Sequence, residues 1–155
     1  MSKTQYFSGQ QGFTLIELMI VILLMSVILG ISIPSYRAYT LRAGRSDAIK
    51  TLLSVTAAQE RFYLQNGTYA GNAALALDPP NGLGFTNSKS ELGYYHLLIV
   101  DDTGGLTIGY TVIATVDAAN KQKGDLECYF LNINQNGQRG AMGGYVPSVV
   151  ERCWR

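Results

Sequence analysis

The stretch Gly12-Phe13-Thr14-Leu15-Ile16-Glu17-Leu18-Met19-Ile20-Val21 opens an apolar run of 21 residues, 13 to 33, in which Glu17 is the one charge. A polar leader, Met1 to Gln11, precedes it. The run is long enough to cross a bilayer, which takes about 20 apolar residues in a helix. A secretory signal peptide has a shorter apolar core, about 7–15 residues, followed by a small-x-small cleavage site. No Ala-x-Ala follows this run. A plain anchor explains neither Gly12 nor Glu17, since a carboxylate in hydrocarbon costs about 2.5–3.5 kcal/mol and usually marks function. A Glu17 that merely snorkels to the headgroups is the bland alternative.

With Gly, Phe, the offset acid and the long apolar run together, this segment resembles the processing signature of class III prepilins, the precursors of type IV pilins. The resemblance implies that a prepilin peptidase removes residues 1–12 by cutting between Gly12 and Phe13, and that Phe13 is then N-methylated. Glu17 becomes the fifth residue of the processed chain, where the family carries its acid. Pro34 falls at the family's helix-kinking proline and deprives the Gly30 carbonyl of its helical partner. Ser26 departs from the family pattern, which commonly has Gly there. The physical role of Glu17 follows: when such helices pack side by side, it meets the charged N-terminus of a neighbour. An unpaired buried charge is expensive, so the pair penalises wrong axial registers.

Beyond Pro34 the pattern stays helical and turns amphipathic. Ala38, Leu41, Ala48, Leu52, Val55 and Phe62 define one stripe, with Arg37, Arg42, Arg45, Lys50 and Arg61 expected mostly off it. Asn66-Gly67 is a C-terminal signal, so the helix predicted from Phe13 is roughly 80 Å long. Residues 13–36 are read as the transmembrane or filament-core part and 37–66 as the part packed on a head. The run Gln59 to Tyr63, followed by Asn66 to Ala70, resembles the helix exit of type IVa pilins. Asn66-Gly67-Thr68 fits a glycosylation sequon, though the Asn-Gly turn already accounts for it.

Residues 67–155 predict the head. An irregular connection over 67–92 precedes strands at Tyr94 to Val100, Leu106 to Val116 and Cys128 to Ile133. Asp101 to Gly105 is read as the first turn. Asn136-Gly137 is a hairpin signal launching a short fourth strand at Gln138 and Arg139. The expected core side is Leu97, Ile99, Ile108, Val112, Ala114, Tyr129 and Leu131. The fold class is therefore α+β, a long N-terminal helix on a C-terminal antiparallel sheet. Cys128 and Cys153, in a chain with an export-like N-terminus, read as one disulfide in an oxidising compartment, contributing about 3 kcal/mol on the loop-entropy model. A Cys-Trp pair after an Asn-Gly hairpin resembles the tail of the PilE-like minor pilins.

No enzyme constellation is visible, and neither a cofactor nor a metal is expected. His96 lacks a nucleophile motif around it, Asp101-Asp102 read as turn residues, and the glycine runs at 104–105 and 140–144 open no helix. Twelve Lys plus Arg against eleven Asp plus Glu give no bulk field for nucleic acid. The chain is read as a pilus subunit, more minor than major, in the inner membrane with a periplasmic head before assembly and in an extracellular pilus after it. Its expected partners are other pilins, the peptidase, the assembly machinery and membrane lipid. Lys3 before the run against Arg37, Arg42 and Arg45 after it would by charge alone reverse this orientation; the processing signature and the cysteine pair outweigh it. Two alternatives remain. One is a pseudopilin of a type II secretion system. The other is a DNA-binding competence pilin using Lys121, Lys123, Arg139, Arg152 and Arg155, with Tyr145 or Trp154 for stacking. Asp117, Asp125, Glu127 and Glu151 interleave with those cations.

Overall fold

The computed structural model describes residues 12–155; the rest of the expected leader lies outside the described residues. Contacts divide the chain into a first unit ending at Ala38 and a second, Tyr39–Arg155. Helix α1, Leu15–Asn66, is assigned as helical throughout, including Gly30 and Pro34. It stops where the sequence supplies a left-handed residue. Gly67 has φ +69°, and its N–H donates to the Tyr63 carbonyl at 2.8 Å, closing the last turn.

In the first unit, the apolar residues of α1 from Leu15 to Ile33 are all exposed. In the second, α1 buries a stripe at spacings of three and four: Arg45, Ala48, Leu52, Val55 and Gln59. Arg45, expected off the stripe, is on it. Leu41 and Phe62 are half-buried and Ala38 is exposed, so the buried face is shorter than the hydrophobic periodicity implied and carries polar groups inside it.

The sheet runs β1 (Tyr95–Asp101), β2 (Tyr110–Val116), β3 (Phe130–Asn134), β4 (Arg139–Ala141), each antiparallel to its neighbour and in sequence order. Register places Leu97, Ala114, Leu131 and Ala141 in one line across all four strands, and all are buried. Strand alternation then sends Tyr95, Leu97 and Ile99 inward while His96, Leu98 and Val100 face out. Two tyrosines, Tyr95 and Tyr110, are fully buried. Burial pushes the Tyr110 phenol up to about 12 and raises Tyr95 as well.

Both sheet edges are closed by connections. On β1, Ile99 N–H donates to Asn72 Oδ1 at 3.1 Å and the Tyr95 carbonyl accepts from Ser90 N–H at 2.8 Å. On β4, Gly144 bridges to Ala141 and Trp154 Nε1 donates to the Gly140 carbonyl at 2.9 Å. These contacts occupy edge groups that an added strand would need.

Ile108 is a correction: it is exposed and lies outside β2. The residues before Tyr110 form a turn, with Ile108 and Gly109 N–H both donating to the Gly105 carbonyl, so β2 starts at Tyr110, four residues later than the hydrophobicity suggested. Tyr129 precedes β3, half-buried and edge-on to Phe130 at 5.0 Å. A second helix, α2 (Pro147–Cys153), adds to the elements expected from the sequence. Pro147 opens it, where a missing N–H costs nothing. Its last residue, Cys153, is disulfide-bonded to Cys128, with Cα atoms 5.5 Å apart.

Candidate functional site

The N-terminal segment comes first. Gly12 and Phe13 are exposed ahead of α1. Thr14 caps the helix and Glu17 is its third residue, and the two satisfy each other. Thr14 N–H and hydroxyl donate to Glu17 Oε2 at 3.3 and 3.2 Å, and Glu17 N–H donates back to Thr14 Oγ1 at 3.3 Å. This reciprocal capping box gives the lone acid of the apolar run a partner within its own chain. Ser26 Oγ donates to the Leu23 carbonyl at 2.7 Å, so this hydroxyl too is consumed internally. Gly30 has open space where a side chain would be.

The second region is the connection between β2 and β3. Lys121 and Lys123 are exposed on a short 3₁₀ turn, Lys121–Gly124, and Gln122 between them is buried. The connection is pinned from both ends. Asp117 Oδ1 accepts from Ala119 N–H at 2.8 Å, while Oδ2 takes Lys89 Nζ at 2.9 Å and His96 Nε2 at 3.1 Å. The Ala119 N–H, then Lys89, hold the Asp117 carboxyl below its usual range. Asp125 accepts Arg45 Nε and Nη2, both at 2.7 Å, in a buried fork. Arg45 Nη1 also reaches the Arg152 carbonyl at 3.3 Å. Asp125 is the largest reason the Arg45 guanidinium is held protonated.

Two of the acids expected to interleave with the surface cations, Asp117 and Asp125, are therefore turned inward. Among the described residues no carboxylate pairs with Lys121 or Lys123. The other expected cations are differently placed. Arg152 lies 3.9 Å from Glu127, and Arg155 pairs with Glu151. Arg139 sits over the Trp154 ring at 5.2 Å. That ring is half-buried and already bonded through Nε1, so Trp154 is a structural residue rather than a free stacking platform. Tyr145 remains exposed.

The architecture thus defines a class: an exposed apolar N-terminal helical segment with a single acid, and a helix-on-sheet head closed by one disulfide. The profile described as "Type IV minor pilin ComP, DNA uptake sequence receptor" matches residues 34–132, and the prokaryotic N-terminal methylation motif matches residues 7–33. The type IV major pilin PilE of Neisseria gonorrhoeae is 32% identical over 143 residues, covering 92% of this chain and 77% of that protein. A fimbrial protein of Neisseria meningitidis serogroup B is 43% identical over 63 residues, 41% of this chain and 37% of that protein, so that alignment spans well under two thirds of the relative. A solved type IV pilin from Shewanella oneidensis covers 68% of this chain and 97% of its own at 21% identity and a TM-score of 0.44. The chain belongs to the type IV pilin family, whose members are structural pilus subunits and not enzymes. Membership implies assembly with other pilins and processing by prepilin peptidase and, with the apolar helix, anchoring in a membrane.

Sequence reasoning missed Arg45–Asp125 and the burial of Gln122. One signal was present: Arg45 falls between Leu41 and Ala48 at helical spacing, on the apolar stripe itself. Nothing local marked Gln122.

Proposed function

We propose that this chain is a minor subunit of a type IV pilus whose head binds duplex DNA through the connection bearing Lys121 and Lys123. The observation that carries the subunit reading is the wholly exposed apolar surface of α1 from Leu15 to Ile33, which demands lipid before assembly and other stems after it. In this reading the peptidase cuts between Gly12 and Phe13, Phe13 is methylated, and Glu17 exchanges its capping partner for the N-terminus of a neighbouring subunit. Gly30 and Pro34 supply a point of bending. The chain sits in the inner membrane with its head in the periplasm, and the assembly machinery moves it into an extracellular fibre. Arg45 is bound to Asp125, which removes it from the cationic flank that otherwise opposes this orientation. The relatives are fimbrial proteins, which favours a pilus over a secretion rod.

The DNA reading is favoured by the matched profile, described as a DNA uptake sequence receptor, and by two exposed, unopposed lysines on a pinned connection. Arg152 and Arg155 share their surface with Glu127 and Glu151 and contribute less; Arg139 contributes only by leaving Trp154. The test is fluorescence anisotropy of a labelled duplex with the full chain in nonionic detergent. Binding should weaken linearly in log K against log salt, each phosphate contact adding about 0.9 to the slope. Absence of binding at low salt removes the DNA role and leaves the pilin assignment standing.

A further inference from the structure

We propose that Gln122, seated over Gly44 of α1, is the positioning residue that presents Lys121 and Lys123 together to a phosphate backbone; this rests on the DNA-binding reading above.

The geometry begins at Gly44. A Cβ there would lie 2.0 Å from Gln122 Oε1 and 2.7 Å from its Cδ. Every other side chain would drive the amide out of its place. A glycine inside a helix costs about 1 kcal/mol relative to alanine, and the passage of Gln122 gives that cost a reason. Gln122 is 3% exposed. Its Nε2 lies 3.0 Å from each of three oxygens on three different elements: the Leu41 carbonyl on α1, the Tyr95 hydroxyl on β1 and Asp125 Oδ2 beyond the turn. The backbone is held as well, with Gln122 N–H donating to Asn120 Oδ1 at 2.9 Å and Asn120 Nδ2 donating to the Gly93 carbonyl at 3.1 Å.

Lys121 and Lys123, on either side of this inward-fixed residue, are both exposed. Lys121 and Lys123 therefore project from one short, immobilised backbone rather than from a mobile loop. Ordering a loop on binding costs affinity, and a preformed arrangement avoids that cost. Displacing Gln122 leaves the lysines present and charged but no longer jointly placed.

The experiment compares five variants of the full chain in nonionic detergent, using the same labelled duplex across a salt series. Lys121→Ala/Lys123→Ala should make the slope of log K against log salt shallower by about 1.8, two contacts at about 0.9 each. Gly44→Ala and Gln122→Met, which keep both lysines, should move the slope most of the way to the same value. Combining Gly44→Ala with the lysine pair should add nothing further, the non-additivity expected of residues acting as one unit. Val55→Ala, a core truncation on the same helix, should lower the melting temperature and leave the slope unchanged. Should Gly44→Ala fail to melt cooperatively, Gln122→Met decides alone. A wild-type slope in Gln122→Met, with the lysine pair shallower, overturns the positioning role. A wild-type slope in the lysine pair itself overturns the lysine contacts and this inference with them.

Discussion

Arg45 and Asp125, separated by 80 positions in the chain, meet as a buried two-pronged ion pair with both N–O distances at 2.7 Å. Arg45 is on the inner face of α1 and Asp125 ends the 3₁₀ turn, so the pair fastens the β2–β3 connection to the helix. Removing one partner strands the other in a nearly dry setting, which typically costs about 3–5 kcal/mol, whereas replacing both with apolar residues is often neutral. Arg45→Met and Asp125→Leu alone should each lower stability by that order in chemical denaturation. The double variant should recover most of the loss, and additive losses would contradict the mutual dependence.

Asp117 sets an acid limit. Its folded pKa lies below the ordinary carboxyl value of 3.8, through the Ala119 N–H, then Lys89 and His96. The ionised form is therefore favoured by folding. Its contribution is fully present above about pH 3.8 and is lost as pH falls through the lowered folded value. The difference in melting temperature between wild type and Asp117→Asn should be present above that pH and shrink as pH falls below it. A gap that persists unchanged into strong acid would refute the linkage.

The Cys128–Cys153 bridge closes the segment holding β3, β4 and α2. Cys153→Ser should cost about 3 kcal/mol. Because Trp154 hangs on the Gly140 carbonyl just beyond the bridge, its fluorescence should change with the loss. Non-reducing mass analysis of the exported protein should find the linked form; free thiols there would remove the oxidising-compartment argument.

At the other end, Gly12→Leu should block cleavage, read by N-terminal sequencing. Glu17→Ala should insert and be cleaved yet enter sheared fibres poorly. Thr14→Val, which keeps the acid and removes its hydroxyl partner, should disturb incorporation less. If Glu17→Ala assembles as well as wild type, the acid has no register role.

Much of the fold was legible because it is written in local chemistry. The apolar run with one acid, the Asn66-Gly67 stop, the period of two in Leu97–Ile99 and Val112–Ala114, and the Asn136-Gly137 turn each depend on residues a few positions apart. Ile108 misled because glycines on both sides of it make a turn out of a segment whose hydrophobicity reads as strand, and α2 escaped notice because seven residues are too few for a helical period.

What the sequence determined alone was therefore the family signature, the long helix and the strand-bearing head. Tertiary structure alone decided which charges are available. Asp117 and Asp125 look like surface acids in the chain and are inward anchors in the fold, while Arg45 leaves the cationic flank for the interior. Helix period and turn chemistry act over a few residues, but a charge is paired or free according to what packing brings within about 4 Å, and packing joins positions that no local pattern connects.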